Sequence, residues 1–368
     1  MKTVVFAVSY GRGMGTGSLM RECTLASAAK RMGYRTVLVA QRAAEESLPG
    51  KLSERVRGSF DEWIAPVGLF ATTGELSGLS EVAAVIMDDY RQAGKRPEAI
   101  ASLKALGGTF AIVDGMDALE FEEADKIINI ELGLTDRVKA FRNKLIHGAQ
   151  YTLIPQEFFE KMPLKEPLPA GKSCLFYFGS TDPFNISAQA IRSIKGLGYV
   201  PILFASKSSP YTASLQEALY GFDDYLWIDS RLTRGQMNTL WGSVSVGVMG
   251  PASNAARYAL HNRCPIIGIP TNPTLLTNTL ALKEMGLPIV MLDKARVEAN
   301  YGKDAEVLFP EIKTELPKAL KALEAAGYID GRLPNRPPFD VQLTAKGPEN
   351  ILEALGLACV ADTATTIL

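Results

Sequence analysis

With 368 residues, 47% hydrophobic and 21% charged, the chain is long enough for two domains with buried cores. Its 39 basic and 40 acidic residues nearly cancel to a formal charge of −1, which leaves no field to gather nucleic acid. No apolar run, the opening one included, reaches the roughly 18 residues that cross a bilayer, so no transmembrane segment and a cytoplasmic location are expected.

Thr3–Val8 reads as a first strand. The glycine-rich stretch Tyr10-Gly-Arg-Gly-Met-Gly-Thr-Gly-Ser18 follows it and leads into helical sequence over Leu19–Met32. Strand, glycines and helix together gather backbone N–H groups and a positive helix end at one spot, as a nucleotide or phosphorylated ligand requires; a purely structural turn is the alternative. Gly33 is placed to end the helix, and Arg35–Gln41 is a second buried strand. After an irregular region with a helix around Leu52–Val56, the pattern resumes with a strand at Val82–Met87 and a helix at Pro97–Leu106. Strands at Thr109–Val113 and Ile127–Ile130 follow. Apolar runs without alternation suit strands covered by helices on both faces, hence parallel sheets.

Three prolines between Met162 and Gly171 mark a linker. The alternation then restarts. Strands are expected at Ser173–Phe178, Tyr199–Ala205, Asp224–Ile228, Val244–Met249, Pro265–Ile269 and Pro288–Leu292. Helices are expected at Ile186–Ile194, Thr212–Tyr220, Arg234–Trp241, Asn254–Asn262 and near Leu275–Glu284, with further ones at Glu315–Ala326 and Glu349–Leu355. The fold class that results is α/β, two Rossmann-like doubly wound domains facing a cleft. Residues 1–155 form the first domain, 156–172 the linker and 173–335 the second, and 336–368 pack back on the first. Tyr220, Tyr225, Trp227 and Trp241 read as core or interface aromatics, because no basic residues are interleaved with them. Cys23, Cys174, Cys264 and Cys359 lie far apart, with no Cys-x-x-Cys pattern and no histidine cluster, and read as reduced, mostly buried thiols rather than disulfides or metal ligands.

Several stretches together resemble the nucleotide-sugar hydrolase of pseudaminic acid biosynthesis and the related spore-coat-polysaccharide proteins, members of the GT-B glycosyltransferase group. Gly15-Thr-Gly-Ser-Leu-Met-Arg21 is similar to the family's Gly-x-Gly-His-x-x-Arg, and Val85-Ile-Met-Asp-Asp-Tyr90 to its strand ending in Asp-His-Tyr. Ile112-Val-Asp-Gly-Met-Asp117, Tyr151-Thr-Leu-Ile-Pro-Gln-Glu-Phe158 and Phe178-Gly-Ser-Thr-Asp-Pro183 follow in the family's order. Ser18 stands where the family has its catalytic histidine, Asp89 where a second histidine would be, and Tyr258 where a glutamate holds the ribose; the family's Asn-Gln pair is absent from Thr271–Asn278. His147 and His261 fall at no motif position and read as ordinary packing or surface residues.

The resemblance implies a GT-B enzyme acting on a nucleotide-activated sugar, with glycosyl transfer in glycan or surface-polysaccharide biosynthesis ahead of hydrolysis, since an unassisted serine hydroxyl cannot take a proton as imidazole does. It implies a sugar or acceptor side at Gly15, Gly17, Ser18 and Arg21, with Asp89 and Tyr90 at the strand end. Ser18, Asp89 and Tyr90 are the catalytic candidates. Gly179, Ser180, Thr181, Asp182, Gly250, Ser253, Asn254, Arg257 and Tyr258 are the candidates for the nucleotide diphosphate. Each has a plainer reading as a turn, cap or surface residue; for Asp182 before Pro183 the two readings stand level, and for Asp117 the plainer one leads. Adjacent Asp88 and Asp89 point to opposite sides of an extended chain, so at most one faces a ligand; Asp114 shares that ambiguity. No cofactor and no metal are required, and the acceptor is unknown. A hydrolase of the pseudaminic type and a non-catalytic glycan- or partner-binding member are the alternatives.

Overall fold

The computed structural model describes residues 1–8, 17–40, 50–66, 71–88, 97–114, 121–179, 182–229, 232–300, 303, 306–329 and 343–359. The chain forms two compact units. Unit 1 comprises 1–130, 134–155 and 343–368, and unit 2 comprises 131–133 and 156–342.

Unit 1 runs β1 (Thr3–Val8), α1 (Gly17–Arg31), β2 (Arg35–Val39), α2 (Gly50–Ser59), β3 (Glu62–Ile64), α3 (Thr73–Leu76), β4 (Val82–Asp88), α4 (Pro97–Lys104), β5 (Thr109–Asp114), β6 (Lys126–Asn129), α5 (Asp136–Lys139) and β7 (Leu145–Ile146). Its seven strands are all parallel, in the order β3-β2-β1-β4-β5-β6-β7. The physical reason for the unbroken apolar run of β1 is visible in its neighbours. Val4, Phe6 and Val8 enter a core with Leu19, Cys23 and Ala26 of α1, whereas Val5 and Ala7 enter a second core with Ile100 and Leu103 of α4. Each face of the strand has its own helix layer, so from Val4 to Val8 neither face carries a polar residue. Gly33 ends α1 at φ 88°, a left-handed position that glycine occupies without the Cβ clash.

Unit 2 runs β8 (Lys172–Tyr177), α6 (Ile186–Ser193), β9 (Tyr199–Phe204), α7 (Thr212–Leu219), β10 (Leu226–Ile228), α8 (Arg234–Ser243), β11 (Val246–Met249), α9 (Ser253–His261), β12 (Ile266–Gly268), α10 (Pro273–Glu284), α11 (Lys294–Asn300) and α12 (Pro310–Ala325). Its five strands are again parallel, in the order β10-β9-β8-β11-β12. The last helix, α13 (Gly347–Ala354), belongs to unit 1, where Ile351 and Leu352 join the α1 core and Asn350 Nδ2 donates to the Gln150 carbonyl at 2.9 Å.

Each sheet has one topological switch, where the connections leave toward opposite faces: β1 beside β4, and β8 beside β11. Ligands of such sheets bind beyond the carboxyl ends of the strands at the switch.

The structure differs from the sequence expectations in a few elements. Pro288–Leu292 is no strand; a single bridge pairs Ile289 with Gly268. Pro288 has no N–H to extend that ladder. Helix α12 begins at Pro310 rather than Glu315 and continues through Pro317. Of the aromatics expected in a core or interface, Trp241 is fully buried and Trp227 half-buried, but Tyr220 is 82% and Tyr225 49% exposed in the turn between α7 and β10. All four cysteines are free thiols, Cys23, Cys174 and Cys264 buried; burial pushes the Cys23 thiol up to about 11, which keeps it unreactive. Among the described residues, no helix is long and apolar enough to cross a membrane.

Candidate functional site

In unit 2 two helices begin at the carboxyl edge of the sheet beside the switch, α6 after β8 and α9 after β11. Their N-termini are treated in opposite ways. Asp182 is buried at 1% exposure, and its carboxylate accepts from the Ile186 N–H at 3.0 Å and the Ser187 N–H at 3.1 Å. The chain reaches this cap through left-handed backbone at Asp182 (φ 40°), Phe184 (φ 65°) and Asn185 (φ 56°), a strained approach for three non-glycine residues. Burial pushes the Asp182 carboxyl up to about 7, against the backbone hydrogen bonds that favour its charge. The first N–H groups of α6 are thus taken by the chain itself, and Asp182 acts as a structural cap.

Helix α9 lacks such a cap. Its N-cap residue is Ala252, exposed and in extended conformation, with no side-chain oxygen to accept from the first turn. The preceding loop is pinned by backbone bonds, Gly250 N–H to the Tyr177 carbonyl at 3.2 Å and Ala252 N–H to the Gly250 carbonyl at 2.7 Å. Asn254 is exposed on the first turn, and Arg257 lies buried one turn further along at 4% exposure. Tyr258 stacks on Phe158 of the linker, ring centroids 4.0 Å apart, and burial pushes its hydroxyl up to about 12. Its ring is occupied by packing. His261 sits edge-on to Phe158 and Phe159, and burial lowers its pKa, so it is a neutral packing residue at pH 7.

At the far edge of the same sheet, the end of β10 opens into a cavity of about 220 Å³. Leu164, Leu226, Trp227, Ile228 and Leu232 form apolar walls, and Lys165, Glu166, Lys207 and Asp229 supply polar groups. The indole of Trp227 is fixed by its Nε1–H, which donates to the Ala205 carbonyl at 3.0 Å.

In unit 1 the switch is spanned by charge. Asp88, at the end of β4 and fully buried, is clamped by Arg21 of α1 through two bonds, Nε to Oδ2 at 2.8 Å and Nη2 to Oδ1 at 2.9 Å. The same Nη2 donates to the Ser18 hydroxyl at 3.0 Å. A guanidinium cannot accept a proton, so Ser18 is not activated as a base by this contact, which uses one lone pair of its oxygen and not its O–H. Glu22, the next residue of α1, is fully buried with both carboxyl oxygens unbonded. Burial first, then the negative charge of Asp88, push its pKa well above the carboxylate range, against the pull of Arg21.

Of the sequence candidates, the structure gathers Ser18 and Arg21 at one end of α1 beside Gly17, and Gly250, Ser253, Asn254 and Arg257 along the start of α9. Gly179 precedes the Asp182 cap at φ 83°. Gly15, Asp89, Tyr90, Asp117, Ser180 and Thr181 lie outside the described residues, as do the side chains of Asp114 and Ser253. Sequence reasoning missed Asp88 as the partner of Arg21, the buried Glu22, the cavity at Trp227 and the role of Asn278 described below. Only the last hydrophilic residue of a buried strand, Asp88, carried a readable signal. Among the described residues, no three His, Cys, Asp or Glu side chains are grouped to hold a metal ion.

No protein-family model matches the sequence, and no curated protein does either. Solved structures do match its shape. CalG4, the calicheamicin glycosyltransferase, shares 10% identity over 96% of this chain and 97% of its own, with a TM-score of 0.55. UGT2 of Phytolacca americana, complexed with UDP-2-fluoroglucose and pterostilbene, shares 13% over 99% of both chains, with a TM-score of 0.57. The UDP-GlcNAc 2-epimerase of Neisseria meningitidis, bound to UDP-GlcNAc, shares 10% over 96% and 99%, with a TM-score of 0.55. The chain has the GT-B fold. At these identities the likeness establishes architecture, and a fold of this kind hosts more than one chemistry.

Proposed function

We propose that this chain is a GT-B enzyme that transfers the glycosyl group of a nucleotide-activated sugar in glycan or surface-polysaccharide biosynthesis. The observation that carries the reading is the pairing, on one sheet, of a helix end whose N-cap is an alanine with a distant apolar cavity. Between β10 and β11 lie three strand intervals, roughly 14 Å at the usual strand spacing. A nucleoside diphosphate extended from base to terminal phosphate covers such a distance. The base would enter the cavity beside Trp227, and the diphosphate would meet the N–H groups at the start of α9. UGT2 and the 2-epimerase, two neighbours solved with a nucleotide sugar, each hold a UDP sugar, which supports the same substrate class.

On this reading the bond between anomeric carbon and diphosphate breaks, and the leaving diphosphate is stabilised by the dipole and amides of α9, with Asn254 and Arg257 nearby. Ser18, whose oxygen accepts from Arg21, donates to an oxygen of the sugar or acceptor, following the resemblance. Proton removal from the acceptor falls to Asp89 or Tyr90, following the resemblance. Transfer is favoured over hydrolysis because the position of the family's water-activating histidine holds a serine whose described polar contact is a guanidinium.

The test is release of free nucleoside diphosphate from a panel of UDP-, GDP-, ADP-, CDP- and dTDP-sugars, with and without acceptors from cell extract. Release that depends on acceptor is expected. Equal release without acceptor would make the protein a hydrolase of the pseudaminic type. No release and no binding of any donor would leave a non-catalytic member of the fold.

A further inference from the structure

The loop that leads into α9 is held from behind by a residue outside the proposed site. Asn278 lies in the middle of α10 and is fully buried. Its Nδ2 donates to the Pro251 carbonyl at 3.0 Å and to Glu131 Oε2 at 2.6 Å, and its Oδ1 accepts the Leu132 N–H at 2.8 Å. Both amide hydrogens and the carbonyl oxygen are therefore used, and the partners fix which end is which: two oxygens face the nitrogen and one N–H faces the oxygen. The segment 131–133 that supplies two of these partners is itself seated tightly. A Cβ on Gly133 would come within 2.7 Å of the Thr277 carbonyl, so the backbone there lies directly on α10.

Pro251 has no N–H, so its carbonyl is the only backbone hydrogen-bonding group it offers. That oxygen is partly negative. Turned outward at the mouth of α9, it would repel a phosphate and occupy the space the helix N–H groups address. Tied to a fully buried Asn278, it points into the protein, and the positive end of α9 is left to the ligand.

We propose that Asn278 is a positioning residue for the diphosphate loop, holding the Pro251 carbonyl inward against the fixed segment 131–133. The inference rests on the proposed nucleotide site and names the part of it that sets the phosphate-binding geometry. Asn278→Asp keeps the shape but replaces both donors with a second carboxylate facing Glu131 and the Pro251 carbonyl. Asn278→Leu removes all three bonds without adding charge.

The experiment is calorimetric titration of wild type and both variants with UDP, GDP, ADP, CDP and dTDP and with the matching nucleosides, alongside hydrogen exchange of the unliganded proteins. Of the two halves of the proposed site, the hydrogen bonds of Asn278 reach the loop before α9, through Pro251, and not the cavity at Trp227. Both variants are therefore expected to lose about ten- to a hundredfold in affinity for the diphosphate that wild type binds, with nucleoside affinity within about twofold. Exchange should quicken over 250–258 and 131–133 and stay unchanged in β8 and β9. Parallel loss of nucleoside and diphosphate affinity, or faster exchange across the whole of unit 2, would make Asn278 an ordinary core residue and overturn the inference. Unchanged diphosphate affinity would overturn it too, while leaving the site itself intact. If wild type binds none of the five diphosphates, the proposed site falls and this inference with it.

Discussion

Helices α6 and α9 start from the same edge of the same sheet, yet one end is closed and the other open. At α6 the chain accepts left-handed backbone at three residues to bring Asp182 onto the first N–H groups. At α9 it places an alanine where such a cap would sit. In unit 1, the side-chain charge of Arg21 on α1 is likewise matched inside the chain, by Asp88. A positive helix end that the protein leaves unmatched is available to an anion, whereas one matched internally serves stability. The bonds give structural work to Asp182 and to the Arg21–Asp88 pair, and the proposed function gives the ligand to α9.

The comparison can be broken at several points. The largest effect is expected from Arg21→Met, which strands the buried Asp88 charge beside Glu22. Unit 1 should lose about 3–5 kcal/mol, read by urea unfolding, and a loss under 1 kcal/mol would show that the clamp is not matched charge. Next is Asp182→Asn. With its pKa raised from 3.8 to about 7 on folding, Asp182 holds a proton in the folded chain that the unfolded chain releases. Its contribution is therefore fully present below the ordinary value and is lost as pH rises through about 7. The asparagine variant should flatten stability against pH across that window by about 3–4 kcal/mol and be the more stable protein at pH 8. An unchanged slope would place the raised pKa elsewhere.

Closing the open end is the complementary change. Ala252→Asp supplies α9 with the cap that α6 already has, on backbone of the right conformation. Stability should rise by about 1 kcal/mol while affinity for the nucleoside diphosphate falls about a hundredfold; opposite signs are the signature, and a variant that binds as wild type does would remove α9 from the site. The last change is at Glu22. Burial and the charge of Asp88 raise its pKa, so its stability contribution is also lost as pH climbs above the ordinary carboxyl range, and Glu22→Gln should be more stable than wild type at pH 8 and little changed at pH 4, read by thermal unfolding at both.

Much of this architecture was legible in the chain. The apolar runs of β1, β4, β8 and β11 announce two-sided burial, and the glycine turns after β1 and β8 mark where helices begin. The short edge strands β3 and β7 were not legible, because three and two residues carry no periodicity. The site was harder. Asp182 before Pro183 reads equally as a phosphate loop and as a cap; only the bonds to Ile186 and Ser187 decide it. Asn278 is not legible because its worth lies in three partners distant in sequence, nor is Glu22, because a helix glutamate is usually solvated. Trp227 reads as core since nothing in its neighbours foretells an opening beside it.

The most direct measurement is amide NMR of the nitrogen-15-labelled chain titrated with the five nucleoside diphosphates. The expected result is saturable shifts at residues 253–255 with one of them, and no shift at residues 186 and 187. Shifts at 186 and 187 with 253–255 silent, or no shift at either helix end, would contradict the assignment of the diphosphate to α9.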